Sequence, residues 1–351
     1  MIIRSGLNDR HNLRTRSGND RWAPLAAMFI LTLTLTVALS ETAHAGGAAA
    51  VTEFVLGRHI ALDAATRWDY AALDPASGRV FVTLGDHVAV VDPASGALVG
   101  RIGGMDGAHG VAFAPALGLG FISSGKTSTI VTFDLKSLAV LRTTPVGGEN
   151  PDALLYLDGP GRLYSFNGKS HDVSVIDPAT GAVSARIPVA GRPEFAAADA
   201  HTIYLNLEDT HQLTLIDIAS AKVVRTFDLP GCDEPTGLAL DAVHGRVFSV
   251  CKNGQLMVSA AAEGRVVTQV GIGRGPDAVV FDAARGLLIS ANGDSGTLSI
   301  VHQDDADHYR LVQTLSTAAK ARTLAYQPAT ATVYLPVPGT PIFELLVAQP
   351  R

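Results

Sequence analysis

A repeat of about 42 residues runs along the chain and constrains its fold more than any other feature. Apolar, β-rich runs end at Asp92, Asp134, Asp177, Asp217, Ala260 and His302, at successive spacings of 42, 43, 40, 43 and 42 residues. A fixed period in this range marks units that cannot bury their apolar faces alone and must pack against their neighbours. Inside the units a short apolar run meets a turn and then a second run, as at Asp74–Gly78, Ala114–Gly118, Asp241–Gly245, Asp282–Gly286 and Gln327–Ala331. Asp or Pro near the start of such a turn and Gly at its end supply a side-chain acceptor and a positive φ, the chemistry of a tight hairpin. The second turn carries Asn-Gly at Asn167-Gly168, Asn253-Gly254 and Asn292-Gly293. The third turn is Asp92–Gly96 or Asp177–Gly181, followed by a fourth run such as Ala182–Val189. Four strands and three hairpins in about 42 residues make one blade of a β-propeller.

Seven inner strands are expected, near Tyr70, Val111, Leu154, Phe195, Leu238, Val279 and Leu324. The seventh unit stops after its third strand, Phe343–Ala348, while Glu53–Leu62 resembles a fourth strand such as Val99–Ile102. The N-terminal strand is therefore expected to complete the last blade, which closes the ring and leaves no bare edge. No window of 10 to 12 residues carries a 3.6-residue apolar period. The prediction is an all-β chain, a single seven-bladed propeller of four-stranded antiparallel blades over residues 46–351.

The residues before it have a different composition. Arg4, Arg10, Arg14, Arg16 and Arg21 precede the apolar run Leu25–Leu39 and the small-residue site Ala43-His44-Ala45. This is the pattern of a secretory signal peptide over residues 1–45, with cleavage expected after Ala45. The 15-residue run falls short of the ~20 residues a membrane-spanning helix needs. A periplasmic or secreted protein with no membrane span follows as the expectation. The remaining 306 residues hold 22 basic and 30 acidic side chains, a formal charge of −8, which argues against nucleic-acid partners. An oxidising compartment makes Cys232 and Cys251 candidates for a disulfide, the alternative being two separate buried thiols.

The segments Asp172–Gly181 (Asp-Val-Ser-Val-Ile-Asp-Pro-Ala-Thr-Gly) and Arg162-Leu163-Tyr164-Ser165 resemble the YVTN-repeat, YncE-like family of exported bacterial propellers. The resemblance covers essentially the whole mature chain. It implies a seven-bladed fold and export, and no settled reaction. Some members are thought to bind DNA; the charge of −8 argues otherwise here. WD-repeat and quinoprotein blade motifs are missing, and Trp68-Asp69 opens an inner strand, the wrong place for a WD dipeptide.

Aligning the blades five residues before the first turn gives one column: Asp69, His109, Asp152, Glu194, Thr236, Asp277 and Arg322, at spacings of 40, 43, 42, 42, 41 and 45. All are polar, each opens a mostly apolar strand, and Pro151, Pro193, Pro235 and Pro276 stiffen the approach to four of them. Polar residues at strand starts can merely meet channel water. A mixture of Asp, Glu, His and Arg reads instead as a ligand-binding mouth, to which Glu208, Glu234, Asn167, Asp209, Asn292 and Asp294 add polar groups, Asn167 and Asn292 as ordinary hairpin formers. Converging carboxylates should repel unless Arg322 or a cation compensates. The expected metal set is Asp152, Glu194, Asp277 and His109, with Ca²⁺ or Mg²⁺ suited to the oxygens and His109 admitting a transition metal. His171, His201, His211 and His244 are read as surface residues. With no Gly-x-Ser-x-Gly elbow, His-Glu-x-x-His, Cys-x-x-Cys or phosphate loop, the sequence points to a monomeric, non-catalytic propeller. It would bind a small molecule or envelope protein at the channel mouth. The alternative is a metal-dependent hydrolase of the lactonase type.

Overall fold

The first and third turns close as their sequences dictate. Asp92 Oδ1 accepts the Ala94 amide at 2.9 Å, and Asp177 Oδ1 accepts those of Ala179 and Thr180 at 3.0 and 2.9 Å. Gly96 and Gly181 then take φ of 76° and 78°, values that only glycine adopts without strain. The second turn keeps the Asn-Gly expectation at Asn253-Gly254, where Gly254 takes φ of 84°, and departs from it at the other two. There the positive φ falls at His171 and Gly296, four residues after the asparagines, and not at Gly168 or Gly293. Asn167 and Asn292 are fully buried. The Asn167 amide donates to Asp172 and Ser174 at 2.9 Å, bracing the hairpin from inside.

The computed structural model describes residues 53–65, 67–339 and 342–351; the export segment expected over residues 1–45 lies outside them. Among these described residues, twenty-eight strands form seven four-stranded antiparallel sheets. Six blades use consecutive strands. The seventh consists of Ala325–Gln327, Thr332–Val337, Glu344–Pro350 and, outermost, the N-terminal strand Phe54–Ala61, paired with its register running from Phe54 opposite Pro350 to Ala61 opposite Glu344. Among the described residues, no helix is long and apolar enough to cross a membrane.

Burial along each blade explains its hydropathy pattern. Second and third strands such as Val80–Thr83 and Val88–Val91 are buried throughout because other blades cover both sheet faces, whereas the outer strand Ala97–Ile102 alternates with solvent. The core is accordingly a set of layers between blades. Val80, Val82, Ala89 and Val91 of blade 1 pack against Tyr334, Leu345 and Val347 of blade 7, while Phe81, Val88 and Val90 face Ile122, Val131 and Phe133 of blade 2.

Candidate functional site at the channel mouth

Backbone hydrogen bonds in blades 2, 3, 4 and 6 bring the loop entering the inner strand against the second turn of the same blade. Gly125 donates to Gly107 at 2.7 Å, Gly168 to Asn150 at 2.9 Å, Glu208 to Arg192 at 2.9 Å and Gly293 to Gly275 at 2.8 Å. Both segments therefore share one end of the propeller. In five blades the inner strand's register shifts where the polar column falls: between Ala108 and Val111, Pro151 and Leu154, Pro193 and Ala196, Pro235 and Leu238, and Pro276 and Ala278. A bulge at this place leaves ladder positions unpaired and re-aims the side chain. In blades 1 and 7 the residues Asp69 and Arg322 precede strands of only three residues.

The charged members then meet across the ring. Arg322 lies 2.8 Å from Asp69 Oδ1 and 2.8 Å from Asp277 Oδ2, with its guanidinium 5.3 Å from the centroid of the Trp68 ring. His109 Nδ1 bonds the other oxygen of Asp69, and Asp152 Oδ1 stands 3.8 Å from the same nitrogen. Asp69, His109 and Asp152, from three successive blades, place one ligand atom each within 4.8 Å of one another. The Glu194 carboxyl lies against that of Glu208. Buried Glu208 is held between Arg192 and Lys252 Nζ, the latter at 2.6 Å, and Lys252 also reaches the more exposed Glu234.

This crowding shifts the proton affinities. Burial, reinforced by the Asp69 charge and opposed by His109, pushes the Asp152 carboxyl up to about 7. Burial likewise takes Asp277 up to about 6 even though Arg322 pulls the other way. Glu194 sits well above the carboxylate range, through burial and then the charges of Asp152 and Glu208. Burial pulls His109 down, but the Asp69 bond and the Asp152 charge outweigh it and leave the imidazole above its usual value. The mouth thus holds carboxyls that keep their protons above the ordinary carboxylate range, because they are buried and too few cations offset that cost.

Thr236 does not join the mouth. It is fully buried, and its hydroxyl is spent on the carbonyls of Pro276 at 2.8 Å and Val250 at 3.2 Å. The four residues expected to share a metal do not assemble as a set either. Asp277 is taken by Arg322 and Glu194 leans on Glu208, so only His109 and Asp152 of that set converge, with Asp69 as the third member. Asp209 accepts the Arg192 amide at 2.6 Å and belongs to the loop's scaffolding.

The residue after each polar one matters more than its spacing suggests. That column reads Tyr70, Gly110, Ala153, Phe195, Gly237, Ala278 and Thr323. Its two large members stack with centroids 5.9 Å apart and planes 19° apart. They belong to blades 1 and 4, which are not neighbours in the ring, so the pair crosses the channel. Their bulk in an otherwise small column is the signal that could have found them. A second buried polar layer, Thr83, Ser123, Ser165, Asn206, Ser249 and Ser290 in the second strands, supports the inner strands. Ser123 receives the Gly110 amide at 2.8 Å, and the Asn206 amide donates to the Thr236 carbonyl at 2.7 Å.

Cys232 and Cys251 are disulfide-bonded, their Cα atoms 5.3 Å apart, and close the loop that carries Glu234. For a separation of 19 residues loop-closure entropy is worth about 3 kcal/mol. The Cys232→Ser/Cys251→Ser double variant should lose about that much in denaturant unfolding. Thiol titration of the unfolded, unreduced protein should find no free thiol, and two per chain would refute the bridge.

No family model matches the sequence, and no curated protein matches it. Solved structures match in number, 1788 chains, which is why the likeness carries architecture and no activity. One, a chain in the crystal structure of the mitotic checkpoint complex, superposes with a TM-score of 0.71 over 91% of this chain and 99% of that one, at 14% identity. At that identity the similarity shows the fold alone.

Proposed function

We propose that the protein is an exported, YncE-like binding propeller whose channel mouth takes a small, positively charged ligand without catalysing a reaction. The signal pattern over residues 1–45 and the Cys232–Cys251 bridge support export. The carrying observation is the uneven distribution of partners at the mouth. Arg322 is divided between Asp69 and Asp277 and His109 goes to Asp69, which leaves Asp152 3.8 Å from the imidazole and Glu194 paired only with another carboxyl. A cation entering there releases protons and relieves repulsion, whereas an anion adds to it. An envelope protein reaching the same mouth has to present Lys or Arg; that a chain of this fold occurs within a multiprotein complex is in keeping with partners of that kind.

Calorimetric titration of the mature chain with divalent metals, polyamines, amino-acid esters and their anionic isosteres tests this. Cationic members should bind with proton release, seen as a buffer-dependent heat, and Asp152→Asn/Glu194→Gln should bind them at least about tenfold more weakly, roughly 1.4 kcal/mol. Equal binding of anionic members, or no effect of the double variant, would overturn the proposal. Turnover of lactone substrates that stops with EDTA would replace it with the hydrolase reading.

A further inference from the structure

We infer that Asp69 Oδ2, His109 Nδ1 and Asp152 Oδ1 form a site for one first-row divalent transition metal, the cation that the proposed binding mouth is built to take. The inference rests on that functional reading and narrows it. Three consecutive blades each contribute one ligand atom, and the three lie within 4.8 Å of one another, so an ion at about 2.1 Å from each fits between them after small side-chain rotations.

Two further features make this more than a group of acids. Asp152 Oδ1 is buried without a hydrogen-bond partner, and it faces His109 Nδ1 at 3.8 Å, too far to bond it directly. The remaining contacts also orient the donors. Arg322 holds Asp69 Oδ1 at 2.8 Å and turns Oδ2 toward the imidazole. A Cβ on residue 125 would fall 2.7 Å from Cδ2 and Nε2 of His109 and 2.9 Å from Asn150 Oδ1. The glycine thus leaves the space that the ring occupies and directs Nδ1 at the carboxylates. Such supporting groups tune metal sites as strongly as many ligands do. One imidazole and two carboxylates suit Zn²⁺, Mn²⁺ or Co²⁺; Ca²⁺ asks for six to eight oxygens and Mg²⁺ for an octahedron of them.

The test uses mature protein stripped with chelator and dialysed, titrated with Co²⁺ and Zn²⁺. One Co²⁺ per chain should bind and give a visible ligand-field spectrum that Zn²⁺ abolishes. His109→Ala and Asp152→Asn should weaken binding more than about 100-fold, and Gly125→Ala about tenfold by displacing the imidazole. His308→Gln, at an exposed histidine whose imidazole bonds Asp305, should bind as wild type. Circular dichroism and melting curves verify that each variant is folded. Metal binding that ignores His109→Ala and Asp152→Asn overturns the site. If polyamines or esters bind but no metal does, the site falls and the cation-binding function stands; if nothing cationic binds, both fall.

Discussion

Asp152→Asn should make the metal-free protein more stable at pH 8 and leave its stability unchanged at pH 4. An aspartate in the unfolded chain loses its proton near pH 3.9, whereas folded Asp152 keeps it up to about pH 7. Between those values the folded state binds the extra proton, so stability declines as pH rises through the window and levels off above it. Each unit of displacement is worth about 1.4 kcal/mol, giving on the order of 4 kcal/mol if Asp152 titrated alone. Its side chain is 19% exposed, so solvent screening removes only part of this. Asn is close in shape to the protonated acid and carries no charge at any pH. Melting curves in EDTA at pH 4, 6 and 8 should show the two proteins together at pH 4 and the variant higher at pH 8 by on the order of 5 °C. Equal melting at pH 8, or an advantage that shrinks with rising pH, would show that the mouth is not electrostatically strained. A gain of stability on removing a charge is the signature of a site kept for binding at the expense of the fold.

Phe54→Ala should destabilise the protein by about 3–5 kcal/mol. Phe54 is 1% exposed and packs among Leu287, Ile289, Leu298 and Ile300 of blade 6 together with Val333, Leu335 and Leu346 of blade 7. Its backbone is gripped a second time by Gln313 of blade 6, which accepts the Phe54 amide at 2.9 Å and donates to its carbonyl at 2.7 Å. Truncation leaves a cavity at the seam where the chain's two ends join. Leu56→Ala supplies the contrast, because Leu56 lies in the same strand at 40% exposure and should cost under about 1 kcal/mol. Denaturant unfolding of both variants decides the matter: a loss below about 1.5 kcal/mol at Phe54 would mean that this strand does not fasten the ring.

The architecture was readable because its determinants are local and repeated. Asp92 and Asp177 state their turns within five residues, and alternation distinguishes the outer strand Ala97–Ile102 from its buried neighbours. Repetition also exposed the polar column, although not what its members do. Arg322 and Asp69 are 253 positions apart and meet only because the ring closes. Spacing alone cannot say that Arg322 takes Asp277, that Asp69 joins His109 and Asp152, or that Thr236 turns to a carbonyl of the next blade. Those outcomes depend on bulges at His109, Asp152, Thr236 and Asp277 and on the short inner strands that follow Asp69 and Arg322. The asparagines at Asn167 and Asn292 were misleading for a related reason: the residue type marks the turn correctly, yet the side chain serves the buried network.

The strand Phe54–Ala61 pairs with Glu344–Pro350, so the earliest-synthesised strand of the propeller waits for the last. Nearly the whole polypeptide must be ordered before this pairing can form, an entropic burden that places it late in folding. The contact between Asp69 of blade 1 and Arg322 of blade 7 spans the same junction. Assembly of the mouth is therefore tied to the final step of ring completion, and a half-folded or truncated chain would carry neither the guanidinium clamp on Asp69 nor the ligand geometry that depends on it. Maturation and competence to bind become one event.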